Sequence, residues 1–125
     1  MKSMNWIPEH WIGETYYPPR EVTMNEWKTL EKRVLDWAED RKIIPNSNPL
    51  TQAIKTTEEV AELLNALSKC SIDEARDAYG DILVTMIIGA KLQGVDLLEC
   101  LADAYEVIKD RKGHLRDDGI FVKEE

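Results

Sequence analysis

The 125 residues, 43% of them hydrophobic, fit one globular domain and exclude a disordered chain. A formal net charge of −8 makes the surface repel other polyanions, so neither nucleic acid nor an anionic membrane is an expected partner. A nucleotide is an anion as well, and binding one requires metal ions or a local basic patch beside the acids.

Cys70 and Cys100 are far apart in sequence, form no CxxC pair and lie in helical patterns, which reads as reduced thiols of a cytoplasmic protein. Residues 1–13 lack the continuous apolar stretch of a secretory signal. The longest apolar run, residues 82–90, is far short of the ~20 residues that a membrane helix needs.

Residues 1–22 read as an N-terminal arm and residues 23–125 as one helical domain. Pro8, Gly13, Pro18 and Pro19 punctuate the arm, and Trp6, Trp11, Tyr16 and Tyr17 give it aromatic bulk suited to docking on a bundle or on a second subunit. The first helix is expected to begin at Thr23, which forms a capping box with Glu26, and to run out near residues 41–43. Trp27, Leu30, Val34 and Trp37 make its apolar stripe, and residues 45–48 make a loop. The second helix takes Asn48 as N-cap and Pro49 as its first residue and ends near Lys69. Its inner stripe is predicted to be Ala53, Val60, Leu64 and Leu67.

The third helix starts with a capping box at Ser71 and Glu74, reaches about Gln93, and has Gly94 placed as its left-handed terminator. It is apolar on nearly every side from Ala78 onward and should be the most buried helix. The fourth helix is expected from Asp96 to Gly113, turning Leu97, Leu98, Leu101, Ala104, Tyr105 and Ile108 inward. The Ile120-Phe121-Val122 patch should then pack on the bundle or a partner chain. The expected fold class is therefore all-α, a four-helix bundle.

Two acidic groups carry the functional reading. The second helix holds Glu58-Glu59-Val60-Ala61-Glu62, where Glu59 and Glu62 share a face with Lys55. Taken alone, that face is a solvated one. The third helix holds Asp77 and Asp81, and Asp81 sits inside Ala78-Tyr79-Gly80-Asp81-Ile82-Leu83-Val84, where a carboxylate needs a partner or a metal. A very short turn around Cys70 makes the two helices an antiparallel hairpin, so Glu59 and Glu62 meet Asp81 and Ala78 at the same height. Facing carboxylates repel unless a cation neutralises them, and hard oxygen ligands without His or Cys favour Mg2+ or Mn2+. The fourth helix brings Lys109, Arg111 and Lys112 back toward that height, either to complement the helix dipole or to hold phosphate.

These residues resemble the MazG-like all-α nucleoside triphosphate pyrophosphohydrolases, whose signature is EExxE on one helix, ExxD on the next, then a basic stretch. Glu58-Glu59-Val60-Ala61-Glu62 matches the first part in full, and Lys55 matches a lysine often found before it. Asp81-Ile82-Leu83 resembles the end of the second part, and Lys109, Arg111 and Lys112 resemble the basic segment. The likeness covers about residues 48–113. One departure stands out: the glutamate of ExxD falls at Ala78, so either Asp77 substitutes or Glu74-Ala75-Arg76-Asp77 supplies the motif one turn earlier.

The resemblance implies a MazG-like bundle completed by oligomerisation, as a homodimer or homotetramer. It implies Mg2+-dependent hydrolysis of a nucleoside triphosphate, a dNTP or a non-standard NTP, between the α- and β-phosphates. The expected metal ligands are Glu59, Glu62, Asp77 and Asp81. Glu58 and Glu59 are the candidate catalytic acids, with Glu58 either the base or an acid supporting the ligands, and Lys55, Lys109, Arg111 and Lys112 are the candidate phosphate-binding cations. The alternative is a non-catalytic acidic helical interaction protein with a degenerate site, which leaves Asp81 unexplained. A di-iron bundle needs Glu-x-x-His pairs, and neither His10 nor His114 completes one.

Overall fold

Each expected helix start carries its cap. In this computed structural model, which describes residues 20–124, the order is α1 (Met24–Asp40), α2 (Ile43–Asn46), α3 (Pro49–Ser68), α4 (Ile72–Gln93), α5 (Leu97–Ile108), β1 (Gly113–Leu115) and β2 (Phe121–Lys123). The protein is mostly helical, as expected, and the arm up to residue 19 lies outside the described residues. Thr23 and Glu26 close the capping box of α1. Asn48 Oδ1 accepts from Thr51 N at 2.8 Å before α3, with Pro49 leading the helix. Ser71 and Asp96 accept from Glu74 N and Glu99 N before α4 and α5. Gly94 ends α4 at φ +80, and Val95 N donates to Ala90 O at 3.0 Å to close the last turn.

Two segments differ from expectation. Lys42 adopts φ +66 and separates α1 from the single turn α2, where a loop was expected. Pro45 is tolerated there because a first-turn N–H has no helical partner to lose. At the other end α5 stops at Ile108, five residues before Gly113, and the chain turns back as an antiparallel hairpin pairing Gly113 with Lys123 and Leu115 with Phe121. A Cβ on Gly113 would collide with the Val122 carbonyl oxygen, so this glycine serves a close strand approach and not a helix stop.

The core sits along the α3–α4 hairpin. Cys70 takes φ +54 in the turn, and Ser71 N donates to Ala66 O at 3.0 Å. Ala66, Ala75 and Ala78 are buried, and Gly89 comes so close to Gln52 that a Cβ there would lie 3.3 Å from the Gln52 Cβ. The stripe of α3 that enters the interior is Gln52, Glu59 and Ala66, with Thr56 and Leu63 half-buried. This corrects the expected stripe: Ala53, Val60 and Leu64 are exposed and Leu67 is half-buried. Within this polar stripe Gln52 donates to Ser47 Oγ and Thr56 meets Thr85 of α4, whereas Leu50, Ile54, Val60 and Leu64 face outward.

Other faces are corrected in the same sense. On α1 Ala38 is fully buried, while Leu30 and Trp37 are exposed. On α5 only Leu97 and Leu98 are half-buried, and Leu101, Ala104, Tyr105 and Ile108 are exposed. Of the Ile120-Phe121-Val122 patch, expected on the bundle or on a partner chain, Val122 is half-buried while Ile120 and Phe121 are exposed in the single chain. As expected, α4 has the most buried positions of any helix, namely Ala75, Ala78, Thr85, Ile87 and Ile88, yet Tyr79, Leu83 and Met86 remain exposed on it. Among the described residues no helix is long and apolar enough to cross a membrane.

Candidate metal centre

The register of the α3–α4 hairpin sets the site. Gln52 lies against Gly89, and one step nearer the turn Thr56 Oγ1 and Thr85 Oγ1 are 2.7 Å apart. A further turn down, Glu59 and Glu62 come level with Asp81 and Ala78. Glu59, Glu62 and Asp81 each offer a carboxylate oxygen, and these oxygens all lie within 4.8 Å of one another.

The three acids differ in environment. Glu62 is exposed, Asp81 is half-buried, and the Glu59 side chain is only 9% exposed. Glu59 Oε1 sits 3.6 Å from Lys55 Nζ, but its buried Oε2 has no hydrogen-bond partner among the described residues. A buried carboxylate oxygen with no donor is costly, and a bound cation would satisfy it. Burial pushes the Asp81 carboxyl above the usual range, and the neighbouring Asp77 and Glu59 charges push it further, against a weaker pull from Lys55. Lys55 is held above its usual range, first by its hydrogen bond to Glu58 at 3.1 Å and then by the Glu58 and Glu59 charges.

Oxygen-only donors at this spacing fit a hard divalent cation such as Mg2+ or Mn2+. Three carboxylates leave further coordination positions for substrate oxygens or water, which a catalytic cation needs and a closed structural site lacks.

The structure gathers some expected residues and separates others. Glu59, Glu62 and Asp81 cluster, while Asp77 stands outside the group, exposed, as a charge that Asp81 feels. Ala78, at the place of the motif's glutamate, is buried. Glu74 is exposed and pairs with Lys69 at 2.8 Å, and that pair and Ser71 hold its carboxyl below the usual range. Glu58 is exposed beside Lys55. Lys109 caps α5 and pairs with Glu106 at 2.6 Å, whereas Arg111 and Lys112 occupy the exposed link to β1. Among the described residues the ion pairs tie Lys55 to these acids, but not Lys109, Arg111 or Lys112.

Sequence reasoning missed the rest of the polar seam. Gln52, Thr56 and Glu59 recur at i, i+4 and i+7 on α3, and Asp81 and Thr85 recur at i and i+4 on α4. Counting outward from Cys70 would have paired them.

No protein-family model matches the chain, and no solved structure matches it. A stretch of 73 residues is 38% identical to an uncharacterized 18.2 kDa protein in the rep-hol intergenic region of Haemophilus phage HP1 (strain HP1c1). The match covers 58% of this chain and 45% of the phage protein, so the chain spans less than half of that relative.

Proposed function

We propose that this protein hydrolyses a nucleoside triphosphate, a dNTP or a non-standard NTP, between its α- and β-phosphates, releasing monophosphate and pyrophosphate with the help of Mg2+ or Mn2+. The observation that carries the proposal is the buried Glu59 carboxylate, one oxygen unpartnered, beside Glu62 on α3 and facing Asp81 across the α3–α4 seam. Glu59, Glu62 and Asp81 would hold the cation, with Asp77 as a further acid beside them. When bound, the cation supplies neutralisation of the phosphate charge and polarisation of the phosphorus centre.

The chain's own residues have distinct tasks in this reading. Glu58, exposed next to the site, takes the proton from the attacking water. Lys55 keeps its charge to high pH and meets a phosphate oxygen. Lys109, Arg111 and Lys112 are further cations for the phosphates. The finer fold is a MazG-like bundle completed by a second copy, as a homodimer or homotetramer in the cytoplasm. Exposed Leu50, Ile54 and Leu64 on α3 support the second copy, since a helix face of that kind is normally covered.

The deciding experiment is a panel of canonical and modified NTPs and dNTPs with Mg2+, resolving pyrophosphate from orthophosphate. The expected result is pyrophosphate plus monophosphate, lost on chelation and in Asp81→Ala. No turnover, together with no thermal shift by Mg2+ or Mn2+, would favour the non-catalytic interaction protein, a reading the same exposed apolar strips also suit.

A further inference from the structure

A second feature lies on the face of α4 turned away from the acids. Leu83 follows Asp81 by two residues, about 200° around the helix. Leu83 and Met86 join Val22, Trp27, Leu98 and Leu101 in lining a groove of about 560 Å3 between α1, α4 and α5. Among the described residues none that lines it is charged. Val22, Leu83, Met86 and Leu101 are 45%, 43%, 40% and 64% exposed, so the groove is an apolar surface still to be covered.

We propose that the chain's own N-terminal segment, residues 6–17, docks in this groove through Trp6, Trp11, Tyr16 and Tyr17. Connectivity is the first argument. Val22 is already part of the groove wall, and Tyr17 is five residues upstream of it, hence within roughly 17 Å even when fully extended. The segment is thus tethered at the groove's lip. A tether that short gives an effective concentration of about a millimolar, which a second copy must exceed to displace it.

Chemistry is the second argument. The segment places four aromatics together with Ile7 and Ile12, and each aromatic buries roughly 150–250 Å2 when it docks. Pro8 within the segment, and Pro18 and Pro19 just after it, disfavour a regular helix. In the groove wall the Trp27 indole Nε1 is buried and finds no acceptor among the described residues. A carbonyl or a tyrosine hydroxyl of a docked segment supplies one.

Cys100 lines the groove and is exposed, which makes it a native reporter, with half-buried Cys70 as the reference in the same molecule. The experiment compares alkylation rates of the two thiols in the full chain. Replacing Trp6, Trp11, Tyr16 and Tyr17 together by serine should speed Cys100 by about tenfold, equivalent to ~1.4 kcal/mol of cover, and leave Cys70 unchanged. Leu101→Glu keeps the segment intact, puts a charge in the groove and should speed Cys100 in the same way, which keeps the test decisive should the fourfold variant fail to fold. An unchanged Cys100 rate in Leu101→Glu and in the folded fourfold variant overturns the proposal. Protection of Cys100 that grows with protein concentration equally in wild type and the fourfold variant also overturns it, and assigns the groove to a second copy.

Discussion

Asp81→Asn should stabilise the protein in chelator and leave it less stable than wild type in saturating Mg2+. The substitution keeps the shape of the side chain and removes one of three charges whose oxygens lie within 4.8 Å of one another. At that separation each repulsive pair is worth ~0.9 kcal/mol even at the dielectric of water. Asp81 has two such partners, Glu59 and Glu62, Asp77 adds a further like charge, and Lys55 offsets part of the sum. The expected gain without metal is about 1–2 kcal/mol, or roughly 4–8 °C in Tm. The sign agrees with proton linkage. The folded chain holds the Asp81 proton more tightly than the unfolded chain, because burial, then Asp77 and Glu59, raise its pKa. That contribution to stability is complete below the ordinary carboxylate value of ~3.9 and is lost as pH rises through the raised folded-state value, so at neutral pH the charge is a cost. Mg2+ reverses the order: a ligand at a hundredfold excess over its Kd stabilises wild type by ~2.7 kcal/mol, and the variant has lost a ligand. Thermal unfolding at pH 7 across an Mg2+ titration checks both halves. A variant less stable than wild type in chelator, or Mg2+ shifts of equal size in both proteins, would refute the reasoning.

Two further outcomes test the surrounding structure. Thr56 and Thr85 have two hydroxyl protons for three contacts, the 2.7 Å bridge between them and the carbonyls of Gln52 and Ile82, so only one donates across the seam. Thr85→Val leaves Thr56 donating to Gln52 O, and urea unfolding should show a loss of about 1 kcal/mol; no loss would mean that the bridge contributes nothing. Glu74 has its carboxyl lowered by Lys69 and then Ser71, so its contribution is present above the ordinary value of ~4.3 and disappears as pH falls through the lowered folded-state value. Glu74→Gln should flatten the acid limb of the stability–pH curve, and an unaltered limb would show that the Lys69 pair is not linked to folding.

The amino-acid sequence by itself determined the helix starts at Thr23, Asn48, Ser71 and Asp96, because each cap is a hydrogen bond to a backbone N–H three residues on. It also determined the left-handed stop at Gly94 and the shared height of Glu59, Glu62 and Asp81, since a short turn between two helices converts sequence distance into height. Only the tertiary structure decided which face of α3 goes inside. The hydrophobic stripe of α3 points to Val60 and Leu64, yet the buried line is Gln52, Glu59 and Ala66, because Gly89 on α4 provides the room against Gln52 and Thr85 provides a hydroxyl partner for Thr56. The end of α5 and the β1–β2 hairpin were likewise illegible: three-residue strands are too short for a period of two to show, and Gly113 marks a close strand approach that reads as a helix stop. Caps are contacts within one helical turn, and sequence spells them out; a buried face is a contact between residues about thirty positions apart, and only the packed partner selects it.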